Sequence, residues 1–355
     1  MEIERGDRDM SLSLSPISIP AVGIVSAGMY LPEPVLTAAD IAEKSGLSEW
    51  VVREKLGINQ KRMAGPDDHP NQMAVWAAQD CLSKCDIPPE EIDVVLCTTE
   101  EWKEYLQWTA GTDLAHKIGA TRAWGMDLHM RCCTTIGALK MAKDVMIADP
   151  DVNTVLIGGG YRTGDLVNLK DRLTTFAFNI GAGAGAILLR KHWPRNHVLG
   201  SHMMTDGSLS KHVIIPASGT IQFPTDEAVA KGLFSINVVE PEVMKSRLNA
   251  VTMDNWMHCI DEALRKSGYT RADIDFLNMV LIKPSGYRDM LQRLGLTEEQ
   301  SVYNADCGHM GEQDSIINII EGVKQGRLKD GDLMIIVGAG VGWVWGATCV
   351  KWGPC

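Results

Sequence analysis

The chain repeats itself. A helix-patterned stretch, Met73 to Lys84, leads through Ile87-Pro88-Pro89 into Glu91-Ile92-Asp93 and the apolar run Val94-Val95-Leu96-Cys97. The same succession returns as Met253 to Lys266, Gly268-Tyr269-Thr270, Asp273-Ile274-Asp275 and the run Phe276 to Leu281. Ile92 and Ile274 stand 182 positions apart. Farther on, Thr154 to Gly160 (TVLIGGG) is echoed by Met334 to Gly340 (MIIVGAG), and Gly158 and Gly338 stand 180 positions apart. Two distant landmarks that drift by only two positions mark an internal duplication, so the fold is two copies of one unit.

Each apolar run is short, continuous and bounded by turn residues, the pattern of strands buried on both faces under helices. The class is therefore α/β. Helices are predicted at Thr134 to Met146 and Ile316 to Val323, where apolar residues recur at helical spacing. Residues 1–20, polar and Ser-rich, read as an N-terminal arm. The duplicated halves are placed at 21–195 and 196–355, and residues 195 to 250, which break the pattern, are expected to hold loops and short elements around an entrance.

Charge and cysteine usage narrow the function. With 34 Lys+Arg against 45 Asp+Glu the net charge is -11, and an acidic surface repels phosphate backbones, so nucleic acid is not the expected partner. No stretch approaches the ~20 apolar residues of a membrane span. The charged start MEIERGDRDM has no apolar leader core, which predicts a cytoplasmic protein. Nine cysteines include no CxxC and no pair at zinc-finger spacing, so no metal is expected.

Two strand-to-helix junctions carry the chemistry-bearing residues. In Met126-Asp127-Leu128-His129-Met130-Arg131-Cys132-Cys133-Thr134, Cys132 stands where a strand ends and a helix begins. A thiol there faces unpaired helix N–H groups and the positive dipole end, a setting that favours thiolate. The second half supplies Asn304-Ala305-Asp306-Cys307-Gly308-His309-Met310-Gly311 at its own junction. Pseudo-symmetry brings the two junctions together at the centre, where Cys132 and His309 form a nucleophile–base pair. His129 reads as packed, and Cys133 as pointing away.

Around these residues the chain resembles the thiolase superfamily, and within it the β-ketoacyl-ACP synthase III branch. The resemblance runs from about Ile24 to Trp352. It rests on Ser48-Glu49-Trp50 with Gly57-Ile58, on Asp127 followed five residues later by Cys132, on Gly181-Ala182-Gly183-Ala184-Gly185-Ala186, and on Gly338-Ala339-Gly340-Val341-Gly342-Trp343-Val344-Trp345-Gly346-Ala347. It implies a thiolase-like fold, internally duplicated in five αβαβα layers. It also implies an acyltransferase in which Cys132 takes an acyl group from a thioester, with the oxyanion hole formed by the N–H of Cys132 and the backbone at Val341.

The chain departs from that branch at two positions. Lys283 stands where a His is expected, and His309 stands where an Asn is expected. Gly308-His309-Met310-Gly311 instead resembles the Gly-His-x-Gly of thiolases proper, whose second cysteine has no match in Val337 to Val341. His309 is then the expected base, and Lys283 the group that holds a carboxylate or enolate charge. Glu100 and Glu101 fall where some relatives place a glutamate, as candidate acid–base groups. Trp50, Lys55 and Arg288 match coenzyme A-binding positions.

The implied reaction forms or cleaves a C–C bond next to a carbonyl. No cofactor is expected to be permanently bound; the coenzyme A thioester is the substrate. An acidic chain without a basic docking face favours acyl-CoA over acyl carrier protein, with a second acyl or β-keto substrate. A homodimer, or a larger complex built on it, is expected. The alternatives are a non-catalytic accessory subunit of a heteromeric condensing enzyme, and CoA-dependent β-keto cleavage as the physiological direction.

Overall fold

In the computed structural model, which describes residues 19–355, nine strands form one sheet, and its order displays the duplication. Outward from the central pair, one wing runs Val22–Tyr30, Gly183–Lys191, Thr154–Tyr161, Val94–Cys97, Trp124–Asp127. The other runs Arg195–Thr205, Val344–Pro354, Leu333–Gly340, Phe276–Met279. In the first wing the pairings are antiparallel, antiparallel, parallel, parallel. The second repeats them, with an isolated parallel bridge from Leu277 to Ser301 in the fifth place. The wings meet antiparallel at Gly23 and His197.

Three apolar clusters define the layers. Helices Pro70–Leu82 and Ala110–Ile118 bury Met73, Ala77, Leu114 and Ile118 against the outer face of the first wing. Helices Pro241–Ser267 and Pro284–Leu294 bury Trp256, Ile260, Met290 and Leu291 against the outer face of the second. Between the wings lie Thr134–Ala148 and Asp314–Lys324, with Ile136, Leu139, Ile316 and Ile319 fully or almost fully buried in one cluster with residues of both wings. These two inner helices carry the functional junctions at their N-termini, deep in the molecule.

The strand runs lie where the sequence places them, because helices cover both faces and leave the runs almost wholly apolar; Asn278, fully buried in Phe276–Met279, is the interior exception and donates to the Ser315 carbonyl. The arm predicted over 1–20 lies outside the described residues apart from Ile19 and Pro20. The region 195 to 250 does hold loops and short elements, but two long elements also enter it. Arg195–Thr205 is a central strand, and Pro241–Ser267 is one 27-residue helix that begins well before Met253. Both were hidden by polarity. The strand carries His197, Ser201 and His202 among its apolar residues, and the helix's first turns are largely exposed. Among the described residues no helix is long and apolar enough to cross a membrane.

Candidate active site

Cys132 sits in the middle of a single 3-10 turn, Arg131–Cys133, that feeds helix Thr134–Ala148. Arg131 adopts φ 53, a left-handed backbone that a side-chain-bearing residue rarely occupies. The Thr134 hydroxyl locks the bend: it accepts from the Met130 N–H at 2.7 Å and donates to the Arg131 carbonyl at 2.7 Å. Strand Leu333–Gly340 runs alongside, so close that a Cβ at Gly340 would lie 2.4 Å from the Met130 carbonyl oxygen. Only glycine fits, and the Gly340–Val341 backbone passes beside the cysteine turn. Cys133 is fully buried, and burial pushes its thiol well above the ordinary range, which leaves Cys132 as the accessible member of the pair.

His309 reaches the same place from the second half. Its N–H donates to the Asn179 carbonyl at 2.8 Å and its carbonyl accepts from the Gly181 N–H at 2.9 Å, which pins the loop to the first half. Its Nε2 lies 3.0 Å from Cys132 Sγ, and its Nδ1 lies 2.6 Å from Asp314 Oδ2. Asp314 opens helix Asp314–Lys324 and is itself held by the N–H groups of Met310 and Leu281, each at 2.8 Å. Burial opposes charge on the imidazole, yet Asp314 and Cys132 carry its pKa well above the usual value. The result is a continuous chain: thiol, imidazole, carboxylate. A base whose far nitrogen is fixed by a carboxylate is oriented and tautomerically defined, the arrangement that activates a nucleophile.

Of the two candidate glutamates the structure separates one from the other. Glu100 is 6% exposed, and burial, the largest influence, raises its carboxyl; Arg131 Nη1 lies 3.4 Å from its Oε2, and among the described residues its Oε1 has no partner. Glu101 is exposed and pairs with Arg131 and His129. Desolvation acts against it, but those partners pull its pKa down to about 2. Glu101 is thus a fixed anion, and His129 its partner, with the imidazole pKa raised by that contact.

Lys283 is not drawn into the triad. It stands just ahead of Pro284–Leu294 with its side chain accessible, and among the described residues it makes no hydrogen bond or ion pair with Cys132, His309 or Asp314. Trp50, 59% exposed, has the Lys55 ammonium 5.1 Å from its ring centroid. Arg288 lines a cleft of about 640 Å³ with Arg53, Gly57 and Tyr303, while Trp50 and Lys55 lie outside that lining. Asp127, part of the motif around Cys132, works structurally: its carboxylate accepts the Gly111 and Ala110 N–H groups at 2.8 and 3.2 Å, capping helix Ala110–Ile118. Among the described residues no cluster of three His, Cys, Asp or Glu side chains could hold a metal. Asp314 and Arg131 carry no mark of their own in the sequence; the signal for Asp314 is its place two residues ahead of the predicted helix and five residues after His309.

A duplicated α/β sandwich with a hydrogen-bonded Cys–His pair at its paired inner helices defines a thiolase-like condensing acyltransferase. Comparison with known proteins gives the family. Residues 126–207 match the model of 3-oxoacyl-[acyl-carrier-protein (ACP)] synthase III, and residues 264–352 match that of its C-terminal part. The β-ketoacyl-[acyl-carrier-protein] synthase III of Symbiobacterium thermophilum is 31% identical over 338 residues, covering 95% of this chain and 100% of the relative. That of Desulfitobacterium hafniense is 28% identical, covering 94% and 98%. The chain belongs to the β-ketoacyl-[acyl-carrier-protein] synthase III family. In fold, it is similar to the synthase III of Thermus thermophilus, with TM-score 0.79, 24% identity and coverage of 94% and 100%. It is likewise similar to Xanthomonas campestris OleA, with TM-score 0.78, 17% identity and coverage of 94% and 99%.

Proposed function

We propose that this protein transfers an acyl group from a coenzyme A thioester, through an S-acyl Cys132 intermediate, to the α-carbon of a second acyl substrate. The observation that carries this reading is the hydrogen-bonded chain Cys132–His309–Asp314. As Cys132 Sγ attacks the thioester carbonyl, His309 Nε2 takes the thiol proton. The oxyanion is held by the N–H of Cys132 and the Gly340–Val341 backbone. When the tetrahedral intermediate collapses, the C–S bond to coenzyme A breaks and the imidazolium returns the proton to the departing sulfur.

In the second half-reaction Glu100 removes the α-proton of the acceptor. Its unpaired, buried Oε1 and its Arg131 counter-ion suit it to that task. The enolate carbon then attacks the S-acyl carbonyl, the new C–C bond forms, and Cys132 leaves as thiolate and regains the proton that Glu100 took. Run backwards, the same groups cleave a β-keto thioester with coenzyme A. Trp50, Lys55 and Arg288 lie on or near the surface around the Val51–Lys55 turn, against which helix Pro284–Leu294 packs, and serve as contacts for the nucleotide end of coenzyme A. Lys283, accessible at the same edge, holds substrate charge there. A complete triad supports the enzyme over the accessory subunit. Exposed Tyr105 and Leu106, beside Glu100 and Glu101, favour a homodimer through that loop, with light scattering as the check.

The test is intact-mass spectrometry after incubation with acetyl-, octanoyl- and palmitoyl-CoA. An acyl adduct that maps to Cys132 and is missing in Cys132→Ala is expected. An adduct on Cys133 or Cys307, or none at all, would overturn the assignment.

A further inference from the structure

The inner helices and the turns before them superimpose the duplication residue on residue. Met130-Arg131-Cys132-Cys133-Thr134 and Met310-Gly311-Glu312-Gln313-Asp314 stand 180 positions apart. Both segments make a 3-10 turn, Arg131–Cys133 and Gly311–Gln313, and each turn runs directly into its inner helix. Both open on a left-handed residue, Arg131 at φ 53 and Gly311 at φ 61. The first inner helix touches the second turn across the pseudo-axis, where Thr135 Oγ1 donates to the Glu312 carbonyl at 2.8 Å. The positional mate of the nucleophile is therefore Glu312, a carboxyl at the heart of the molecule.

Glu312 is 0% exposed. Its Oε1 accepts from Gln313 Nε2 at 2.7 Å, and the same nitrogen donates to Thr98 Oγ1 at 3.0 Å. Its Oε2 is buried and, among the described residues, has no hydrogen-bond partner. The titratable groups that face it are Glu100 from the loop after strand Val94–Cys97, Cys132 from the opposite turn, and Tyr161 from the end of strand Thr154–Tyr161. None is a cation, and among the described residues Glu312 forms no ion pair. Desolvation first, then Glu100 and Cys132, push its carboxyl well above the ordinary range. With Oε1 occupied as an acceptor, the proton belongs on Oε2, and among the described residues that O–H has no acceptor. A buried donor left open is costly unless a substrate completes it.

The family position that would hold the acceptor's enolate carries Lys283 here, and Lys283 stays outside the triad. A neutral carboxylic acid in a site that keeps it uncharged is an effective donor to such an oxyanion. We propose that Glu312 Oε2–H donates a hydrogen bond to the carbonyl oxygen of the second acyl substrate and stabilises its enolate. The inference rests on the acyl-enzyme reading above and assigns the acceptor-side donor within it. Glu100 breaks the α C–H bond and takes the proton, the charge moves to the carbonyl oxygen, and Glu312 keeps its own proton throughout. Two closely placed carboxyl groups also disfavour an acceptor that brings a third carboxylate. The acceptor is thus activated by proton removal.

The experiment compares Glu312→Gln, which keeps a neutral donor of the same shape, with Glu312→Leu, which has none. Two signals are read on the full chain with acetyl-, octanoyl- and palmitoyl-CoA as probes. The first is Cys132 acylation by intact mass. The second is wash-in of deuterium from D2O at the acyl α-carbon. Wild type is expected to show both. Glu312→Leu should still acylate Cys132, which also reports that it is folded, while wash-in falls by roughly 100-fold or more. Glu312→Gln should recover wash-in to within about tenfold of wild type. If Glu312→Gln is as dead in wash-in as Glu312→Leu, Glu312 works as a base, and the proposal is wrong. Unchanged wash-in in Glu312→Leu would also overturn it. Should Glu312→Leu fail to fold, Glu312→Gln alone decides by the same tenfold limit. A wild type that acylates without wash-in overturns the role of Glu312, and that of Glu100 with it, while leaving the acyl-enzyme reading in place; a wild type without an adduct overturns the acyl-enzyme reading and Glu312's role with it.

Discussion

The two junctions at the pseudo-axis have one backbone and two chemistries. In the first half the turn at Met130-Arg131-Cys132 presents a thiol, and its left-handed residue is an arginine whose side chain is used: it reaches Glu100 and Glu101. In the second half the turn at Met310-Gly311-Glu312 presents a carboxyl, and the left-handed residue is a glycine pressed against a ring. A Cβ at Gly311 would lie 2.5 Å from Tyr161. His129 and His309 are also mates by position, yet one binds Glu101 at the edge and the other lies between Cys132 and Asp314. Duplication supplies the frame, and side-chain divergence within it supplies an asymmetric site.

Removing a group from either junction should show which chemistry each owns. Cys132→Ala should abolish the acyl adduct outright. His309→Ala should slow acylation by roughly 10²–10⁴-fold, the usual worth of a positioned base, as read by single-turnover mass spectrometry. If His309→Ala spares acylation while Lys283→Ala stops it, the roles drawn from the geometry are reversed.

Asp314→Asn comes next, with an acylation loss of roughly 100-fold expected because the imidazole loses its orienting carboxylate. The stability effect has a definite sign. His309 has a folded pKa raised above its unfolded value of about 6.5, so its contribution is fully present below that value and fades as pH climbs through the folded one. The melting-temperature gap between wild type and Asp314→Asn should therefore be wider at pH 6 than at strongly alkaline pH. A gap that widens with rising pH would contradict the assignment.

The left-handed residues sharpen the comparison further. Gly311→Ala should cost roughly 2–4 kcal/mol, from the forced backbone and the overlap with the Tyr161 ring. Arg131→Gly relieves its backbone at the entropic cost of a glycine, so denaturant titration should show a change within about 1 kcal/mol. Transfer should nonetheless suffer, because Glu100 loses its cation. Smallest is Lys283→Ala. An accessible charge contributes about 0–1 kcal/mol, so the acyl-CoA concentration for half-maximal rate should rise by no more than about fivefold.

Short-range patterning made much of this molecule legible in the sequence. The runs at Val94 and Thr154 and their echoes at Phe276 and Met334 identified the buried strands, because a strand covered on both faces must be apolar almost throughout. The junction at Cys132 and the Gly-flanked His309 marked the thiol and the imidazole that the fold brings together, since both sit where a strand must turn into a helix. Polar segments escaped that logic. Arg195–Thr205 joins the sheet through backbone pairing, and the early turns of Pro241–Ser267 face solvent, so neither needed an apolar signature.

What only the tertiary structure decided is which charges lose water and which find partners. Glu100 and Glu101 are neighbours in sequence, yet one is buried with an open oxygen and the other is exposed on a guanidinium. Asp314 and Glu312 differ by two positions, and one is tied to an imidazole while the other accepts one amide hydrogen bond and faces Glu100, Cys132 and Tyr161. Protonation and reactivity follow desolvation and the summed field of groups from distant segments, and the local sequence contains neither.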